Sequence, residues 1–131
     1  MRGFLILSTI LGSLLVALFW AAPAKAYTQT VAALTRVEWQ GTNCIAYFGP
    51  SNDDKRVVGY PTFDCTPGTP GLPRWIEWEQ NRSTGELVGI DPVMDGNNWM
   101  RCTVWINARI VVTDFALASD KREVSCLRTV R

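Results

Sequence analysis

From Val31 onward the chain never sustains the 3.6-residue apolar period of an amphipathic helix. Short β-branched and aromatic runs recur instead, each cut by a cluster of turn residues. A chain patterned this way buries apolar surface by pairing strands. The spacing predicts a single, mainly antiparallel β-sandwich of about seven short strands over residues 27–131. Strands are expected at 31–39, 44–48, 56–60 (leading toward Cys65), 75–79, 87–90, 99–106, 109–115 and 123–130. Between them, residues 49–54, 81–85 and 91–98 carry turn chemistry. Residues 66–73 hold three prolines, which cannot donate to a ladder, and read as a rigid unpaired loop.

Alternation assigns faces. Met100, Cys102, Val104 and Ile106 share one side of the 99–106 strand, while Trp99, Arg101, Thr103 and Trp105 share the other. The first set is apolar and contains a cysteine, so it is assigned to the core. Asn107-Ala108 joins this strand to 109–115 as a tight hairpin, with Asn suited to the left-handed conformation. Trp75 shares parity with Glu77 and Glu79, and Trp78 beside Ile76 is assigned to the core. Trp75, Trp99 and Trp105 therefore stand among charges on outer faces, and are the candidate surface for a protein partner or a lipid-like ligand.

Four cysteines, Cys44, Cys65, Cys102 and Cys126, all lie beyond the first 26 residues. An even number in a small exported domain reads as two disulfides. Three connectivities exist. Cys44–Cys65 and Cys102–Cys126 are favoured, because each pair brackets a strand-turn-strand unit and Val124 with Cys126 suits an inward bridge to Cys102. Export itself is read from the start of the chain: Met1-Arg2-Gly3 is positive, residues 4–22 are uncharged and apolar, and Ala24-Lys25-Ala26 follows Pro23. That is the layout of a signal peptide over residues 1–26, with Tyr27 as the mature N-terminus. The alternative is an uncleaved anchor, since residues 4–22 approach the length that spans a bilayer and would tie the domain to the inner membrane. The expected location is secreted, periplasmic or cell-envelope in either case.

Charge and composition narrow the function. Of 13 basic residues, Arg2 and Lys25 fall in the leader, leaving 11 against 12 acidic ones. A balance of −1 offers no electrostatic footprint for nucleic acid. Histidine is absent, so Ser-His-Asp and Cys-His catalysis and histidine-based zinc sites are excluded. Glu77 and Glu79 lie two apart on one strand face, as an acid/base pair can, but also as a solvated outer face does. Asp91 and Asp95 lack the dense acidic spacing of a calcium loop. No metal, cofactor or catalytic residue is expected, and the chain reads as non-enzymatic.

The segment Cys102-Thr103-Val104-Trp105-Ile106-Asn107-Ala108-Arg109-Ile110-Val111, followed by a polar loop and Val124-Ser125-Cys126, resembles the end of the MmpS family of mycobacterial small membrane proteins. Gly71-Leu72-Pro73 before Trp75 resembles that family's Leu-Pro-Trp, with one residue inserted. The likeness is concentrated in the C-terminal half. Asn107-Ala108 stands where the family has Asp-Gly, Ser119 where a Gly is usual, and Cys44 with Cys65 has no counterpart. The resemblance implies an immunoglobulin-like sandwich held beyond the inner membrane, assisting an RND-type lipid or siderophore exporter. A second reading needs no transporter: a secreted inhibitor or effector docking on another protein through the Pro/Gly-rich loop 66–73.

Overall fold

The computed structural model describes residues 29–51, 54–66 and 71–131. The expected leader, and residues 67–70 of the expected loop, lie outside them. The described chain is mostly β. Four strands, β1 (Thr30–Gln40), β4 (Arg74–Ser83), β7 (Trp99–Ile106) and β8 (Arg109–Leu117), form one antiparallel sheet in the order β4-β1-β7-β8. Strands β2 (Cys44–Phe48), β3 (Thr62–Cys65) and β6 (Asp91–Pro92) form a second in the order β3-β2-β6. Strands β5 (Leu87–Val88) and β9 (Arg128–Thr129) pair as a third.

β1 is the spine of the large sheet because its sequence alternates strictly. Ala33, Thr35, Val37 and Trp39 are buried, and Leu34, Arg36, Glu38 and Gln40 face the other way, half-buried. Their cross-strand neighbours follow: Val37 lies opposite Cys102 and Ile76, and Thr35 opposite Val104 and Trp78. These side chains merge with Ile45 of β2, Val88 of β5 and Val124, Cys126 and Val130 of the last segment into one apolar cluster. All three sheets thus share a core. Trp39 is wholly buried, and its indole N–H donates to the Thr42 carbonyl at 2.8 Å, so the one polar atom of the ring is satisfied. Tyr47 of β2 packs on Trp78 of β4, with ring centroids 5.1 Å apart, and donates its hydroxyl to Asp64 at 3.0 Å. Burial first, then the hydrogen bond and charge of Asp64, push the Tyr47 phenol up to about 12.

The hairpin falls at the expected place. Asn107 and Ala108 have φ of 48° and 63°, the two left-handed positions of a type I′ turn. The register then shifts: Trp105 faces Ile110 while Val104 faces Val112, so Val111 is the extra residue of a β-bulge.

Other expected boundaries are corrected. Residues 56–60 do not form a strand; Val57 makes only an isolated bridge to Pro50, and the pairing partner of β2 is Thr62–Cys65. The strand expected at 75–79 continues through the expected turn to Ser83, because β1 offers it partners as far as Thr30. The strand expected at 87–90 stops at Val88. Gly89, with φ of 87°, turns the chain there. The closing strand expected at 123–130 shrinks to Arg128–Thr129, since residues 122–127 are held by carboxylates rather than by a ladder. Asp114 accepts from Ser125 N–H at 2.9 Å and from both terminal nitrogens of Arg122, Asp91 accepts from the N–H groups of Cys126 and Leu127, and Glu123 accepts from Met94 N–H. The Arg122 hydrogen bonds, against the opposing effect of burial and with help from the Ser125 and Phe115 N–H groups, hold the Asp114 carboxyl below its ordinary 3.8.

The disulfides are Cys44–Cys65 and Cys102–Cys126. Two such bridges are consistent with maturation in an oxidising compartment. The second is wholly buried between the 99–106 strand and the last segment.

Candidate functional site

The large sheet turns one face to the core and the other outward, and the outward face is where unusual side chains gather. Register sets its rows. Trp75, Glu38, Arg101 and Phe115 form one, from β4 across to β8. Glu77, Arg36, Thr103 and Thr113 form the next, followed by Glu79, Leu34, Trp105 and Ile110. Gln40, Trp99 and Leu117 lie on the other side of the first row. All three expected tryptophans therefore stand on one face, opposite to Cys102.

Rings and guanidinium groups interleave across these rows. The Arg36 guanidinium carbon lies 5.1 Å from the centre of the Trp75 ring and 5.9 Å from that of Trp105, and its Nε donates to Glu77 Oε1 at 2.6 Å. Arg101 sits 5.5 Å from the Phe115 ring and 3.8 Å from Glu38. Phe115 in turn lies 6.1 Å from Trp99, whose indole N–H donates to Gln40 at 2.9 Å. Each cation is thus held by a ring and a carboxylate together, an arrangement that leaves little side-chain freedom to lose on contact with a partner.

Exposure is graded across the face. Trp75 is 56% exposed, Leu117 43% and Phe115 40%, whereas Trp99 and Trp105 are half-buried. Thr103, expected outside, is on this face but buried at 6%, its hydroxyl 3.2 Å from that of Thr113. Trp105 also lines an open groove of about 760 Å³, together with Ala32, Leu34, Glu79, Asn81 and Ala108.

Comparison with family models, curated proteins and solved structures finds no match for this chain.

The acidic candidates are placed elsewhere or already engaged. Glu77 is the ion-pair partner of Arg36, and Glu79 is exposed at the groove. Asp91 spends one oxygen on two backbone N–H groups of the last segment. Among the described residues no three acidic, cysteine or histidine side chains gather as a metal site. Of the Pro/Gly-rich loop, Leu72 is described and is 57% exposed.

Arg36, Phe115 and Leu117 were not singled out from the sequence. Parity along β1 would have found Arg36, since it alternates with buried Val37 and Thr35. Phe115 and Leu117 are hidden by the bulge: counting outward from the turn without Val111 reverses their faces.

Proposed function

We propose that this chain is an exported, non-enzymatic binding protein of the cell envelope whose contact surface is the outer face of the β4-β1-β7-β8 sheet. The observation that carries the reading is the set of Trp75, Trp99, Trp105 and Phe115 interleaved with Arg36 and Arg101 on one sheet face. Tryptophan and arginine are the residues most enriched where protein partners gain their affinity, and exposed apolar rings rimmed by charge mark such surfaces. The antiparallel sheets packed about one core, with the buried Cys102–Cys126 bridge joining β7 to the last segment, support an immunoglobulin-like sandwich. The leader at residues 1–26 would place it in the envelope, either released or anchored through residues 4–22.

On the C-terminal resemblance, the partner is an RND-type exporter of lipids or siderophores, and the chain is its accessory. The test is site-specific photo-crosslinking in the producing cell, with the photoreactive group at position 75 and, as control, at the exposed position 60, which lies beside Tyr47 and Trp78 rather than on the aromatic face. A transporter adduct from position 75 alone supports the accessory role. Adducts from both positions, or from neither, defeat it. The second reading, a secreted inhibitor docking through loop 66–73, is favoured by the exposure of Leu72. It requires crosslinks from position 72 to a secreted or foreign protein instead.

A further inference from the structure

The two disulfides occupy opposite environments. Cys102 and Cys126 are both 0% exposed, inside the apolar cluster. Cys44 and Cys65 are both exposed, and they face each other directly across the β2–β3 pair. β3 is an edge strand of only four residues. Its Phe63 is 68% exposed and buries little, so β3 is fastened to β2 by its short ladder, by the Tyr47–Asp64 hydrogen bond and by the disulfide. Beside the disulfide runs an open groove of about 580 Å³ lined by Cys44, Ala46, Phe48, Pro61, Phe63 and Val93, together with Asp95.

We propose that Cys44–Cys65 is a thiol-exchange site for a protein dithiol, an oxidoreductase of the type that carries two neighbouring cysteines. The proposal is independent of the aromatic face. A thiolate can attack a disulfide only along an open approach to sulfur, which the exposed pair provides and the buried pair denies. The apolar groove accommodates the apolar rim around such an enzyme's reactive sulfur, while Asp95 disfavours small anionic thiols. One thiolate of the dithiol bonds to one sulfur of the pair and expels the other as a thiolate. The second thiol of the dithiol then attacks the mixed disulfide. The dithiol leaves oxidised to its own disulfide, and Cys44 and Cys65, having gained two electrons, take up two protons. Exchange frees one of the three fastenings of β3 and makes the edge strand releasable while the core bridge stays closed.

The experiment treats the oxidised full-length chain, without denaturant, with dithiothreitol, with reduced glutathione, and with a thioredoxin whose resolving cysteine is replaced by serine. Alkylation and peptide mass mapping follow each treatment. Cys44 and Cys65 should open at least a hundredfold faster than Cys102 and Cys126, and the serine-substituted thioredoxin should be trapped on Cys44 or Cys65. Phe63→Ser, a change at an exposed position, should slow capture by the thioredoxin about tenfold and leave the dithiothreitol rate unchanged. Equal opening of both bridges overturns the proposal, as do absence of a trapped adduct and glutathione outpacing the protein dithiol. An unaltered thioredoxin rate in Phe63→Ser refutes the role of the groove.

Discussion

Arg36 lies with its guanidinium carbon 5.1 Å from the centre of the Trp75 ring, across two adjacent strands of the outer sheet face. The indole is 56% exposed with the guanidinium against it. An exposed ring should be replaceable with little loss of folding. Trp75→Ala is expected to cost about 1 kcal/mol or less, the range of an exposed cation–π pair. Trp39→Ala, at a wholly buried ring on the same sheet, is expected to cost about 3–5 kcal/mol. Urea titration of the two variants checks the contrast. Equal losses would place Trp75 in the core's service rather than a partner's.

Thr35 offers the opposite case. It is 0% exposed between Val104 and Trp78, and its hydroxyl has no hydrogen-bond partner among the described residues. Thr35→Val keeps the shape and removes an unpaired polar group, so it should stabilise by about 1 kcal/mol. A raised urea midpoint with an unchanged slope is the expected readout.

At the hairpin tip, Ala108 holds φ of 63°, a conformation that an L-residue with a Cβ disfavours by roughly 1–2 kcal/mol. Ala108→Gly relieves that cost, and part of it returns as the extra freedom of glycine in the unfolded chain. A net gain of about 0.5–1 kcal/mol is expected, measured as a higher melting temperature.

The Asp114 carboxyl titrates below its ordinary value, chiefly through its hydrogen bonds from Arg122. For a depressed acid the stabilisation is complete above the unfolded value of 3.8 and disappears as pH falls through the lower folded value. Asp114→Asn should therefore melt below the parent at pH 6, and the gap should close as the pH is lowered from 4 toward 2. A gap that stays constant over this range would show that the charge contributes nothing beyond the hydrogen-bond geometry.

How far the sequence could be read depended on whether structure was set by neighbours or by distant partners. β1, β2 and β7 alternate or run apolar on their own account, and Asn107-Ala108 marks the turn, so these elements were legible. Val57 and Val58 attracted a strand assignment through β-branching alone, yet the strand forms at Thr62–Cys65, where β2 and its cysteine supply a partner. The last segment misled for a related reason. Its anchors are Asp91 and Asp114, whose acceptor roles span 35 and 11 residues of sequence and leave no local pattern. The three tryptophans were placed on a common face by parity, but Phe115 could not be, because the extra Val111 is invisible until the strands are paired.

Gly89 has a bearing on the two disulfides. A Cβ at this position would stand 2.3 Å from the Cys126 carbonyl oxygen and 2.9 Å from a Val104 methyl, so the peptide of Cys126 rests against bare backbone. Cys126 is thus seated beside Cys102 over the backbone of residue 89, with a third segment of the chain packed against the interior bridge. Cys44 and Cys65 lie opposite each other on two directly paired strands. The two bonds differ in what a change nearby would reach: a side chain added at residue 89 presses on the interior bond and leaves the surface bond alone.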